Sequence, residues 1–101
     1  MKQWKIRCKA NQNVDCLAHI FEQNCNNLFD VWYGILEVSS LVELMSLQSN
    51  DKLVLLFEDG RVGGAAVLGS DSTFGNDPTD PPLSKEIYML FVVGISSIKI
   101  P

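Results

Sequence analysis

One histidine, His19, stands in this chain of 101 residues, and no two cysteines fall at C-x-x-C spacing. A tetrahedral zinc site built from imidazole and thiolate needs more ligands than that. The three cysteines, Cys8, Cys16 and Cys25, are odd in number, and no asparagine stands in a glycosylation sequon. An oxidised, secreted disulfide scaffold is therefore not indicated, and reduced, cytoplasmic thiols are expected.

Long apolar runs are also missing. Leu53–Phe57 and Ile87–Val93 are the longest, far short of the roughly 20 residues a membrane-spanning helix needs. Met1–Ala10 carries Lys2, Lys5, Arg7 and Lys9 and no apolar core of a secretory signal. No membrane span is expected. Charge is sparse too, at 20% against 47% hydrophobic residues, which excludes the composition of disorder and suits one globular domain over 1–101. The net charge of −4 splits into +4 over Met1–Ala10 and therefore −8 over the rest, so the main body disfavours nucleic acid.

Nucleotide and calcium motifs are absent. Gly60, Gly63, Gly64 and Gly69 surround Arg61, yet neither GK[ST] nor a helix-opening G-x-G-x-x-G follows. Asp71, Thr73, Asn76, Asp77 and Asp80 lack the EF-hand series with its central glycine and closing glutamate. No cofactor is expected.

What is present begins with strict alternation. Trp4, Ile6, Cys8 and Ala10 fall on one side of Gln3–Ala10, and Lys5, Arg7 and Lys9 on the other, which predicts a half-buried strand. The three cations read first as protection of an edge strand and second as a small attachment point for nucleic acid. Asn11-Gln12-Asn13 offers helix caps, and Val14, Leu17, Ala18, Phe21, Cys25 and Leu28 recur at helical spacing, predicting an amphipathic helix that ends near Asn26-Asn27.

Phe29–Val38 reads as an aromatic, β-branched strand, and Ser40-Leu41-Val42-Glu43 as a capping box. That box opens a short helix with Leu41, Leu44 and Met45 on one face. Lys52–Phe57 and Val62–Leu68 flank Glu58-Asp59-Gly60-Arg61, the turn signal of a hairpin. Gly69–Ser84 holds three prolines and two glycines and predicts a long surface loop. Lys85–Val93 and a bent or paired Ile95–Ile100 close the chain as strands. The expected fold is α+β: a small, mostly antiparallel sheet in the order β-α-β-α-β-β-β, with one longer and one short helix.

Cys16 and His19 are the chemical candidates. On a helix they lie about 60° apart on the polar side, with Cys25 on the apolar stripe, so a thiol nucleophile or redox sensor with a histidine base is an alternative reading. Four side chains in a row, Gly63-Gly64-Ala65-Ala66, are small enough to admit a backbone or a bulky aromatic, from inside the molecule or from a partner. Close pairing along Val62–Leu68 would make a homo-oligomer. Pro78-Thr79-Asp80-Pro81-Pro82 matches a PxxP core without a basic anchor.

Asp30 and Glu37 flank the aromatic strand and would face a cleft beside Trp32 or Tyr33. The leading expectation is a non-enzymatic interaction module, of the kind formed by small acidic inhibitors, immunity-type proteins and regulatory adaptors. Its contact candidates are Trp32, Tyr33, Glu58, Asp59, Arg61, Asp77 and Asp80.

Overall fold

The computed structural model describes residues 2–25, 29–77 and 83–98. In chain order these form β1 (Lys2–Ala10), β2 (Val14–Cys25), β3 (Phe29–Val38), α1 (Leu41–Gln48), β4 (Lys52–Phe57), β5 (Val62–Asp77) and β6 (Leu83–Gly94). The strands close into a barrel in the order β1-β2-β3-β6-β5-β4, with β4 returning to β1 and every neighbouring pair antiparallel. Two three-stranded meanders, joined by α1, thus meet edge to edge along β3–β6 and β1–β4. Among the described residues, no helix is long and apolar enough to cross a membrane.

The expected α+β fold is corrected to an antiparallel barrel with one short helix, and the largest correction is Val14–Cys25. This segment is a strand paired on both sides, with β1 from Lys2↔Glu22 to Ala10↔Val14 and with β3 from Leu17↔Glu37 to Cys25↔Phe29. Cys16, Ala18 and Ile20 are buried at period two. Leu17 and Phe21 produced the helical spacing, but they lie on the outer face; two neighbouring strands outweighed a local pattern compatible with either element.

Asn11-Gln12-Asn13 accordingly forms a turn rather than a helix cap. Asn11 and Gln12 have φ of 49° and 71°, and the Asn13 N–H donates to the Ala10 carbonyl at 3.3 Å, the arrangement of a type I′ hairpin turn. Asn11 also extends the β1–β4 ladder. Its N–H donates to the Val54 carbonyl and its Oδ1 accepts from the Val54 N–H, both at 2.9 Å.

The predicted loop at 69–84 is corrected as well. Gly69–Asp77 pairs with Leu83–Phe91 residue by residue, after a register shift between Val67 and Gly69. Ladder bonds are backbone bonds, so a polar strand zips onto a hydrophobic one despite its breaker-rich composition. The PxxP segment, Asp80 included, lies outside the described residues. After Gly94 the chain leaves the sheet, so Ile95–Ile98 is not the expected last strand.

The strands expected at Gln3–Ala10, Phe29–Val38 and Lys52–Phe57 are present as β1, β3 and β4, and the local signals between elements hold as well. The hairpin turns at Asp59-Gly60, where Gly60 has φ 93° and its N–H donates to the Phe57 carbonyl at 2.9 Å. The capping box holds too: Ser40 Oγ accepts from the Glu43 N–H at 3.2 Å. The buried face of α1 is Leu44 and Leu47, however, while Leu41 and Met45 are exposed.

A barrel this narrow is filled by its own side chains. Trp32, Phe57, Ile20, Leu36, Leu53, Leu55, Leu90 and Val92 occupy the interior, joined by Leu44 and Leu47 of α1. Trp32 sits at the tightest point. Its Nε1–H donates to the Ser96 carbonyl at 2.7 Å, and a Cβ on Gly94 would overlap its pyrrole ring. At Gly63 a Cβ would stand 3.3 Å from Trp32 Cζ2. The small-residue arm therefore admits an aromatic from inside the molecule.

Gly94→Ala is expected to cost about 3 kcal/mol, because overpacking here displaces the indole and its hydrogen bond together. Gly69→Ala, where an added Cβ meets nothing within 4 Å, is expected to be neutral or to stabilise by about 0.5 kcal/mol. Gln12→Gly relieves a left-handed backbone and should stabilise by roughly 0.5–1 kcal/mol after glycine's added chain entropy. Urea denaturation of each variant checks these values.

Candidate functional site

Alternation along the strands decides which candidates meet. On β2, Cys16 points inward and His19, three residues on, points outward, so the barrel wall separates them. His19 Nε2 lies 2.9 Å from Glu37 Oε1 on β3, a half-buried cross-strand pair on the outer surface. Cys16 instead faces Cys8, directly opposite on β1, and both thiols are free and buried. The helical reading placed Cys16 beside His19; a period of two puts them on opposite faces.

The aromatic candidates also divide by face. Trp32 is 1% exposed and belongs to the core, which removes it from any contact surface, whereas Tyr33 is exposed on the outside. Tyr33 stacks on Phe21, its register partner on β2, with centroids 5.0 Å apart and planes at 14°. Asp30 is in register with Asn24 near the far end of the β2–β3 hairpin, away from Glu37 at Leu17. Asp77 ends β5 opposite Leu83.

At the β4–β5 turn, Asp59 Oδ1 accepts from the Arg61 N–H at 3.1 Å and Oδ2 from its Nε–H at 2.8 Å. The Arg61 backbone N–H, followed by its guanidinium, holds the Asp59 carboxyl below its usual range. The guanidinium lies 4.1 Å over the Trp4 ring. Trp4 Nε1–H donates to Glu22 Oε2 at 2.6 Å, and the ring meets Phe57 edge-on at 5.3 Å. Much of the charge on this turn is therefore spent on fastening it to β1. Nothing in the spacing of Trp4, Glu22 and Arg61 announces the cluster, because each comes from a different strand or turn.

The surface that sequence reading missed is the outer face of the β1–β4 seam. In Lys52–Phe57 the inward residues Leu53, Leu55 and Phe57 are buried, while Val54 and Leu56 are 56% and 47% exposed. Leu56 stands opposite Lys9 on β1 and Val62 on β5; Val54 stands opposite Gly64. Exposed Ile95 packs over Gly64, where a Cβ would be 3.3 Å from Ile95 Cγ1. A cleft of about 460 Å³ opens on this seam, lined by Arg7, Lys9, Asp15, Leu56, Glu58 and Gly60.

Lys9 is 3.9 Å from Asp15, whereas Arg7 makes no ion pair among the described residues. Edge protection no longer accounts for Arg7 and Lys9. β4 pairs with β1 over Cys8–Ala10, and the Glu58 N–H donates to the Arg7 carbonyl at 3.0 Å. The proposed dimer edge at Val62–Leu68 is likewise engaged: Val62–Ala66 pairs with β4, and Ala65–Val67 with β6. An apolar centre ringed by charge can hold a protein surface. Among the described residues no cluster of three or more His, Cys, Asp or Glu could hold a metal ion.

Arg61→Ala is expected to cost about 0.5–1 kcal/mol, Asp59→Asn to destabilise in the same direction, and the double variant to cost no more than Arg61→Ala alone, because Asp59 acts by holding Arg61 over Trp4. A double-mutant cycle in urea measures this. The contribution of Asp59 is present above the ordinary carboxylate pKa and lost as pH falls through its lowered value, so Asp59→Asn should flatten that acid limb of stability. Compared with known proteins, the chain matches no family model, no curated protein and no solved structure.

Proposed function

We propose that this protein is a non-enzymatic protein-interaction module, in the manner of a small inhibitor or regulatory adaptor, whose contact surface is the outer face of the β1–β4 seam. The observation that carries the reading is the exposure of Val54 and Leu56 on a strand whose other face is the barrel core. Exposed side by side and rimmed by charge, they have the anatomy of an interface centre. Arg7, the rim cation without an ion pair among the described residues, fits a partner carboxylate. The partner class is thus a protein that presents an acidic side chain next to an apolar one.

A nucleic-acid reading of Lys5, Arg7 and Lys9 has less behind it. Asp15 stands beside Lys9, Leu56 lies opposite it, and three cations make a small electrostatic footprint.

The test is affinity capture from the cells of origin with quantitative mass spectrometry, using the wild-type chain, Leu56→Asp, Arg7→Glu and Val42→Asp. Val42 is 77% exposed on α1 and serves as a distant apolar control. A partner retained by wild type and Val42→Asp, and reduced at least about tenfold by Leu56→Asp and Arg7→Glu, is the expected outcome. Loss with Val42→Asp alone would move the interface to α1, and equal retention by all four would remove the seam from consideration.

A further inference from the structure

Cys8 and Cys16 are register partners on adjacent antiparallel strands, and both side chains enter the barrel interior, at 4% and 2% exposure. Directly opposed residues in such a ladder have Cα atoms about 4.5 or 5.5 Å apart, depending on the pair type. Both spacings fall in the range of about 4.4–6.8 Å that a disulfide spans. Both thiols are free, and the Cys16 S–H donates to the Val14 carbonyl at 3.5 Å. We propose that Cys8 and Cys16 are a peroxide-responsive dithiol that closes to a disulfide across the β1–β2 ladder.

The two sulfurs are not equivalent. The adjoining Cys16 thiol lowers the pKa of Cys8 against the opposing effects of burial and Asp15. The same pairing with Cys8, then burial and the Cys8 charge, raises the pKa of Cys16. We assign Cys8 as the attacking sulfur and Cys16 as the sulfur that resolves the first product. Both sulfurs border a cleft, and that beside Cys8 is the larger of the two. Cys8 lines the 460 Å³ seam cleft, while Cys16 lines a separate cleft of about 300 Å³ with Arg7, Leu17, Glu37 and Ser39. Hydrogen peroxide is small enough for either.

The chemistry balances in two steps. The Cys8 sulfur attacks one peroxide oxygen, the O–O bond breaks, and the thiol becomes a sulfenic acid with release of one water. The Cys16 sulfur then attacks the Cys8 sulfur, the S–O bond breaks, the Cys16 proton leaves with the hydroxyl as a second water, and the S–S bond forms. Peroxide is reduced by two electrons and the dithiol oxidised by two. A small-molecule dithiol reverses the change by exchange, returning two electrons and two protons. Buried thiols packed as small apolar side chains are the competing account, and they would be inert.

The experiment uses the full chain carrying Cys25→Ser, leaving Cys8 and Cys16 as the thiols counted. The folded protein is treated with hydrogen peroxide, its fold checked by circular dichroism, and the product alkylated and weighed. The expected result is loss of both alkylatable thiols with a mass lower by two hydrogen atoms, restored by dithiothreitol. In the same background, Cys16→Ser should accumulate a sulfenic acid on Cys8 that dimedone traps at least about tenfold more than it traps Cys16 in Cys8→Ser. Retention of two alkylatable thiols, or oxidation to sulfinic acid without a disulfide, would overturn the proposal. Equal trapping in the two single variants would overturn the assignment of nucleophile and resolver. The thiol count on the Cys25→Ser chain stands even if a single variant fails to fold.

Discussion

The barrel depends on one indole. Trp32 fills the interior against Gly63 and Gly94, and its single N–H is satisfied by the Ser96 carbonyl at 2.7 Å. That bond ties the chain beyond β6 back over β5, where the Gly64 N–H donates to Ser96 Oγ at 2.9 Å and the Ile95 N–H to the Gly64 carbonyl at 3.0 Å. Removing a buried tryptophan of this kind costs about 3–5 kcal/mol, a large part of the stability of a domain this size. The glycines are the counterpart of the ring, and each exists at its position because the other does.

A closed wall of strands sorts chemistry by parity. Residues an odd number apart on one strand face opposite sides, so Cys16 and His19 never meet, while residues on adjacent strands meet wherever the register brings them. Cys16 acquires Cys8, and His19 acquires Glu37 at 2.9 Å. Both partnerships join residues eight or eighteen positions apart in sequence, as the register dictates. The same sorting makes Trp32 core and Tyr33 surface, although they are neighbours in the chain.

The apolar run Lys52–Phe57 shows how one sequence feature divides into two roles. Continuous hydrophobicity normally marks a strand covered on both faces. Here one face is the barrel core and the other, Val54 and Leu56, is exposed between charged residues. Folding requires Leu53, Leu55 and Phe57 alone. Val54 and Leu56 form no part of the core, and that surplus hydrophobicity is the basis for reading the seam as a contact surface.

Local signals of one backbone geometry were legible in the residues themselves. Asp59-Gly60 specifies its turn, Ser40 and Glu43 cap their helix, and Trp4, Ile6, Cys8 and Ala10 alternate as a strand must. Val14–Cys25 and Gly69–Asp77 were not legible. The first carries apolar residues on both faces and so matches helical spacing as well as strand spacing; the second carries turn residues held in a ladder by Leu83–Phe91. By itself the sequence determined the turn, the cap and the first strand, because each rests on residues within one turn or one strand of each other. The tertiary structure alone decided the closed barrel, the Cys8–Cys16 pair and the exposed seam, because each depends on register between strands, set by backbone pairing and by what fits around Trp32.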